Sequence, residues 1–323
     1  MSSAKDAYDV GFIELDRAIG AVIGSAVGDA LGAGYEFVLA PEPADVEMKR
    51  GSMTGQPAGC WTDDTAMAIA ILEVAARNGT LTTPESAVAV GDRFLEWFHS
   101  GPSDVGGQTS KVLSRARSGV DLADAAAVVQ GLEPRSAGNG SLMRTGPVAL
   151  AHLGNDEELA GAARAMSALT HAHPDAVEAC VLWTIAIDRA VRLGALEGPR
   201  AGLPMIDEDR RAKWAERINL AETMRPKSSE LNGYVVTAMQ AAWSAIFWTQ
   251  SSGRHFEAAL REAVAIGYDT DTVAVIAGAL LGARYGVNSI PTEWREGLAG
   301  WPAGYRDADL AKLATLAAFG SRE

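Results

Sequence analysis

Apolar and polar positions alternate with a helical period along nearly the whole chain. Ala, Leu and Val recur at three- and four-residue spacing in segments of roughly 10 to 20 residues, and the two-residue alternation of strands is hard to find. The spacing predicts helices near 14–31, 65–78, 84–99, 108–118, 143–153, 156–170, 174–193, 209–222, 233–249, 254–265, 271–285 and 307–319. No low-complexity or linker-like stretch divides them. The pattern therefore predicts an all-α fold, a compact single-domain helical bundle over 14–323 behind an N-terminal tail, 1–13. The run Gly194 to Asp207 is rich in Gly and Pro and reads as a loop. The charged stretch after it, to about Ser229, reads as a surface excursion rather than a boundary.

One regularity cuts across this pattern. Gly20, Gly24, Gly28 and Gly32 recur every four residues inside one predicted helix, and Gly278, Gly282 and Gly286 do the same in another. A glycine inside a helix costs about 1 kcal/mol relative to alanine. A whole row on one face needs a reason, and close helix–helix approach is the physical one. The two helices are expected to be central and tightly packed.

Composition narrows the class. The chain has 323 residues, 48% of them apolar, which is enough for a large core. Its net charge of −13 makes nucleic acid an unlikely partner, because phosphate-backbone binding needs clustered Lys and Arg. Two cysteines, Cys60 and Cys180, do not make a disulfide framework and are expected to be ordinary buried thiols. The N-terminus lacks the apolar core of a signal peptide, and no apolar run reaches the roughly 20 residues that span a bilayer. A cytoplasmic protein without a membrane partner is the expectation.

The candidate chemistry lies in two acidic clusters far apart in sequence. They are Thr62-Asp63-Asp64-Thr65 and Asp269-Thr270-Asp271-Thr272. Either one alone is explained by helix capping and by acids favouring the first turn. Together they are harder to dismiss, because both open helices too apolar to lie on a surface. A buried helix start with two carboxylates is expensive unless the charge is compensated, and neither cluster contains Lys or Arg. Divalent cations would compensate it. Oxygen donors without sulfur or imidazole suit Mg²⁺, Mn²⁺ or Ca²⁺, and four Asp carboxylates could balance two such ions.

Other segments add to this. Glu36 ends a flexible segment after the first glycine row and could reach a metal or a leaving group. Asp29 lies within that row and is expected to be hydrogen-bonded internally. The loop Gly138-Asn139-Gly140-Ser141 opens a predicted helix and offers free N–H groups to a phosphate or diphosphate. Asp104-Val105-Gly106-Gly107-Gln108 is another glycine-rich turn into a helix. His171 and His173 are two residues apart; a cap or a stacking role suits such histidines better than metal binding.

Taken in order, Gly28-Asp29 through Tyr35-Glu36, Trp61 to Thr65, Gly138 to Arg144, Thr170-His171 and Asp269 to Thr272 resemble the ADP-ribosylglycohydrolase family. Its members include dinitrogen-reductase-activating glycohydrolases and ADP-ribosylarginine hydrolases. The resemblance runs from about residue 17 to 286. It implies the family's all-α fold and a centre of two Mg²⁺ or Mn²⁺ ions. The metal ligands it implies are Thr62, Asp63, Asp64, Asp269, Asp271 and Thr272. It places Glu36, Asp104 and Asp269 in catalysis, and Asp104, Val105, Gly106, Gly107 and Gln108 in a substrate loop. Gly138, Asn139, Gly140 and Ser141 would cradle the diphosphate, with His171 near the adenosine end. Some bacterial members carry Asn where this chain has Gly107. The implied reaction is metal-dependent release of ADP-ribose from an ADP-ribosylated protein, arginine being the favoured acceptor. Cleavage of another ADP-ribosyl linkage, a non-catalytic ADP-ribose binder and a toxin-immunity protein remain open readings.

Overall fold

The computed structural model describes residues 4–225 and 231–320. Fourteen α-helices are found among them, with no strands, only two isolated β-bridges. In chain order they are α1 (Ala4–Gly32), α2 (Asp63–Asn78), α3 (Pro84–His99), α4 (Gly107–Leu113), α5 (Leu122–Leu132), α6 (Gly146–Ala151) and α7 (Asp156–Ala168). They continue with α8 (Pro174–Leu193), α9 (Glu208–Thr223), α10 (Val235–Trp248), α11 (His255–Ala265), α12 (Thr270–Tyr285), α13 (Thr292–Arg295) and α14 (Asp307–Phe319). The all-α expectation holds. None of the described helices is long and apolar enough to cross a membrane.

The glycine rows explain the centre of the fold. α12 is buried without interruption from Thr270 to Ala283, so it has no polar face and can only be an interior helix. α1 lies along it with backbones in contact. A Cβ on Gly24 would stand 2.5 Å from the Gly278 carbonyl oxygen, and one on Gly28 or Gly20 would overlap the carbonyl of Ala274 or Gly282. At the end of the row a Cβ on Gly32 would overlap Asp271 itself. The spacing thus carries the C-terminal end of α1 down onto the first turn of α12, where the Thr270 hydroxyl donates to the Gly32 carbonyl at 2.8 Å. α8 adds a third central helix, with Trp183 Nε1 donating to the Ile276 carbonyl at 3.1 Å.

Several boundaries differ from the sequence reading. α1 begins at Ala4, ten residues before the predicted start. The predicted helices 108–118 and 143–153 shorten to α4 and to α6. α5 was not predicted; its Ala- and Val-rich run is continuous rather than periodic. The charged excursion after Asp207 does contain the predicted helix 209–222, as α9, which buries Trp214, Ile218 and Ala221. Its last part, 226–230, lies outside the described residues. Cys180 is buried as expected; Cys60 is half-buried, because it sits beside a surface cavity rather than in the core.

Candidate active site

The two acidic clusters meet. Asp63 and Asp64 form the first turn of α2, and Asp269 and Asp271 flank the start of α12. Capping does not account for them: neither Thr62 nor Asp269, the two N-cap residues, makes a side-chain cap hydrogen bond. Carboxylate oxygens of Asp29, Asp64 and Asp271 lie within 4.8 Å of one another, as do those of Glu36, Asp269 and Asp271. Asp271 belongs to both groups.

Asp29 is the internal anchor the sequence suggested. It is fully buried on α1 and accepts from both the N–H and the hydroxyl of Thr65, at 2.9 and 2.6 Å. It also accepts from the N–H of Thr62, at 2.9 Å, and lies 3.0 Å from its hydroxyl. One side chain on α1 thereby holds the first turn of α2. Glu36 follows α1 at a turn where Phe37 takes a left-handed backbone with φ 52°. Tyr268, just before Asp269, does the same with φ 66°. The strain is held by mutual contacts: the Phe37 N–H donates to the Tyr268 carbonyl at 2.7 Å, and the rings meet edge to face at 5.0 Å. Glu36 and Asp269 are positioned as a pair.

The cavity over these carboxylates has a volume of about 420 Å³. Its wall includes Glu36, Asp63, Asp64, Asp104, Asp269, Asp271 and Thr272, and the segments Val105 to Gln108 and Gly138 to Gly140, with His171. Of the metal, catalytic and substrate residues that the resemblance implied, only Thr62 and Ser141 are outside this wall. The Thr62 hydroxyl lies between Asp29 and Asp64, 3.0 Å from each. The Ser141 hydroxyl faces inward and accepts from Ser167 at 2.9 Å and Cys180 at 3.4 Å.

Electrostatics set this end of the cavity apart. Burial, then repulsion from Asp104, Asp269 and Asp63, pushes the Glu36 carboxyl up to about 8. Burial, then the Asp104 and Asp29 charges, pushes Asp63 up to about 7. Burial and neighbouring carboxylates raise Asp64 and Asp271 well above the ordinary carboxylate range. Two buried oxygens, Glu36 Oε2 and Asp64 Oδ1, have no hydrogen-bond partner among the described residues. Unpartnered buried carboxylate oxygens and an all-oxygen donor set fit hard divalent cations. The residues present therefore suit a metal centre of that kind.

The loops are more committed than the sequence suggested. The Asn139 amide, expected to serve a diphosphate, instead donates to Asp269 Oδ2 at 2.7 Å and to the Asn232 carbonyl at 3.0 Å. The N–H groups of Gly138 and Asn139 go to Gln108 Oε1 and the Gly233 carbonyl. Among the described residues, no protein acceptor takes those of Gly140 and Ser141. Gln108 is a strut, since its Nε2 also donates to the Thr170 carbonyl at 3.1 Å. The Gly106 N–H donates to Asp63 at 3.4 Å. His173 caps α8, accepting from the Asp175 N–H at 3.1 Å.

Asn232 was missed in the sequence. It is buried, its side-chain oxygen accepts from the Asp269 N–H at 3.1 Å, and its amide donates to the Gly267 carbonyl at 3.0 Å. The only signal was an Asn-Gly pair ahead of a helix, which ordinarily marks a turn.

Comparison with known proteins identifies the family. The family described as ADP-ribosylglycohydrolase matches residues 13–322. The ADP-ribosyl-[dinitrogen reductase] glycohydrolase of Rhodospirillum rubrum is 34% identical over 86% of this chain and 89% of its own. The ADP-ribosylarginine hydrolase Tri1 of Pseudomonas putida is 30% identical over 88% of this chain and 75% of its own. A solved structure, "ADP-ribosylglycohydrolase-related protein complex", superposes with a TM-score of 0.72 at 29% identity, covering 95% of this chain and 99% of that one. The chain belongs to the ADP-ribosylglycohydrolase family, hydrolases of ADP-ribosyl linkages.

Proposed function

We propose that this member of the family removes mono-ADP-ribose from modified protein side chains, arginine favoured, at a centre of two Mg²⁺ or Mn²⁺ ions. The observation that carries the reading is the pair of unpartnered buried oxygens, Glu36 Oε2 and Asp64 Oδ1, within a cluster that shares Asp271. The likeness to an ADP-ribosylarginine hydrolase supports arginine as the acceptor.

Thr62, Asp63, Asp64, Asp269, Asp271 and Thr272 would hold the ions. Asp29 backs them, since its oxygens already accept from Thr62 and Thr65. Bound there, divalent cations supply positive charge and Lewis acidity beside the ribose. The protein does the rest. Asn139 and Asn232 fix Asp269. Glu36 and Asp104 line the cavity beside the cluster and are the groups able to carry a proton. Water adds to the anomeric carbon, and the carbon–nitrogen bond breaks with its electron pair going to the guanidine nitrogen. One proton passes from the water to that nitrogen, leaving ADP-ribose and an unmodified side chain.

The test is release of ADP-ribose from arginine-linked and serine-linked mono-ADP-ribosylated proteins, with Mg²⁺, Mn²⁺ or EDTA. Metal-dependent release, fastest from arginine, is expected. No metal-dependent release from either linkage overturns the reading, and preference for serine overturns the acceptor assignment.

A further inference from the structure

Arg144 is 1% exposed and has no carboxylate partner in an ion pair among the described residues. The charge of Asp63 acts on it, but a buried guanidinium without a direct ion-pair partner is still costly, so its contacts need an explanation. It stacks on the Phe94 ring, 4.5 Å from guanidinium carbon to ring centre. Its Nη2 donates to the Met166 carbonyl at 3.2 Å and to the Thr170 hydroxyl at 2.7 Å. Thr170 Oγ in turn lies 2.7 Å from His171 Nδ1.

Counting protons orders this chain. Arginine donates and never accepts. Thr170 Oγ therefore spends one lone pair on Arg144 and has a single hydrogen left to give. The one other partner found for that hydroxyl is His171 Nδ1; were Nδ1 the donor, to the second lone pair, the fully buried hydroxyl hydrogen would have no acceptor, so the hydroxyl donates and Nδ1 accepts. A neutral imidazole accepting at Nδ1 carries its proton at Nε2. Nε2 lies against the glycine loop, 3.3 Å from where a Cβ on Gly138 would stand and 3.1 Å from one on Gly140. His171 is part of the cavity wall there. Burial, and then the Arg144 charge, lowers His171 to about 3, in keeping with a neutral ring.

We infer that Arg144 and Thr170 are positioning residues that lock His171 as the neutral Nε2–H form, so that this end of the cavity presents donors and takes an anionic oxygen group of the diphosphate kind. The donors are His171 Nε2 and the N–H group of Gly140, both residues of the cavity wall. The cavity is then divided, with carboxylates at one end and hydrogen-bond donors at the other. The choice of ligand rests on the proposed function; the lock does not.

The experiment is nitrogen-15 NMR of the imidazole rings together with calorimetric binding of ADP-ribose. With five histidines in the chain, the His171 signal is assigned by its loss in His171→Asn. The wild-type protein is expected to show protonated Nε2 and unprotonated Nδ1. Thr170→Val, of nearly the same shape, should lose the fixed tautomer and bind ADP-ribose about tenfold more weakly. Its Mn²⁺ affinity should be unchanged, which an unfolded variant would not show. Thr170→Ser, which keeps the hydroxyl, should restore both readouts. A wild-type ring protonated at Nδ1 overturns the lock whatever the variants do. A Thr170→Val protein that keeps the tautomer overturns it as well. If the wild-type ring is Nε2–H and ADP-ribose does not bind, the ligand and the proposed function fail while the lock stands.

Discussion

Gly24 on α1 and Gly278 on α12 face each other without side chains: a Cβ on Gly24 would stand 2.5 Å from the Gly278 carbonyl oxygen, and one on Gly278 would overlap the Gly24 carbonyl. Neither backbone can retreat, because both helices are packed on their other sides. Gly24→Ala is therefore expected to destabilise the fold by about 1–3 kcal/mol, even though alanine gains about 1 kcal/mol of helix propensity. Gly161→Ala is the control. Gly161 lies within α7, exposed, with open space where its Cβ would go, so the variant should gain roughly 0.5–1 kcal/mol. Urea denaturation of both variants checks the difference in sign.

Asn139 holds Asp269 in place, and the family resemblance had assigned it to the diphosphate. Asn139→Ala should lower turnover or metal affinity by roughly 10–100-fold, as loss of a ligand's hydrogen-bond partner does. An effect confined to KM for ADP-ribosylated substrate, with Mn²⁺ affinity intact, would return Asn139 to the substrate.

Asp271 is common to both carboxylate groups. Asp271→Asn is expected to abolish tight metal binding, whereas Glu36→Gln, which keeps a neutral oxygen in the cluster, should weaken Mn²⁺ binding less and lose turnover. Metal stoichiometry after dialysis, read beside activity, separates the two. Asp269→Asn should lose turnover and weaken metal binding together.

The raised carboxyls make stability without metal fall with pH. A group whose folded pKa is raised keeps its proton longer in the folded chain, so stability drops as pH rises from the ordinary value through the folded one. For Glu36 that window runs from 4.5 to about 8, and for Asp63 from 3.8 to about 7. In EDTA the melting temperature is expected to fall across pH 5 to 8 (about one to four units above the ordinary carboxylate value). Mn²⁺ at a hundredfold excess over Kd should add about 2.7 kcal/mol per site. At one fixed Mn²⁺ concentration the gain should be larger at pH 8 than at pH 6, because protons and cations compete for the same oxygens. A melting curve in EDTA that improves with pH would contradict the site's electrostatics.

Gly107 has open space where a side chain would stand, so nothing steric requires glycine there. Gly107→Asn should fold as the parent does. Its effect is expected in the relative rates on arginine-linked and serine-linked substrates, because residue 107 lines the cavity.

The sequence carried most of the fold and much of the site, for a local reason. Helical period, the four-residue glycine rows and paired acids at apolar helix starts are written in short windows. The shape of the helix α12 interior and the burial of Asp63, Asp64 and Asp271 follow from those windows. α5 escaped because a continuous Ala-Val run has no period to read. Asn232 escaped because an Asn-Gly pair looks like any turn until Asp269 is seen beside it.

By itself, then, the sequence determined which residues have the chemistry: carboxylates without local counter-charge, glycines where backbones touch, donors in a glycine loop. Which carboxylates come within 4.8 Å of one another, which way Ser141 and Asn139 turn, and that the Thr170 hydroxyl stands between Arg144 and His171 were decided only by the tertiary structure. Each of those depends on a partner dozens to hundreds of residues away or on a single hydroxyl's one proton. A hydrogen bond's direction is set by what both of its atoms have left to give, and that is known only when all the neighbours are in place.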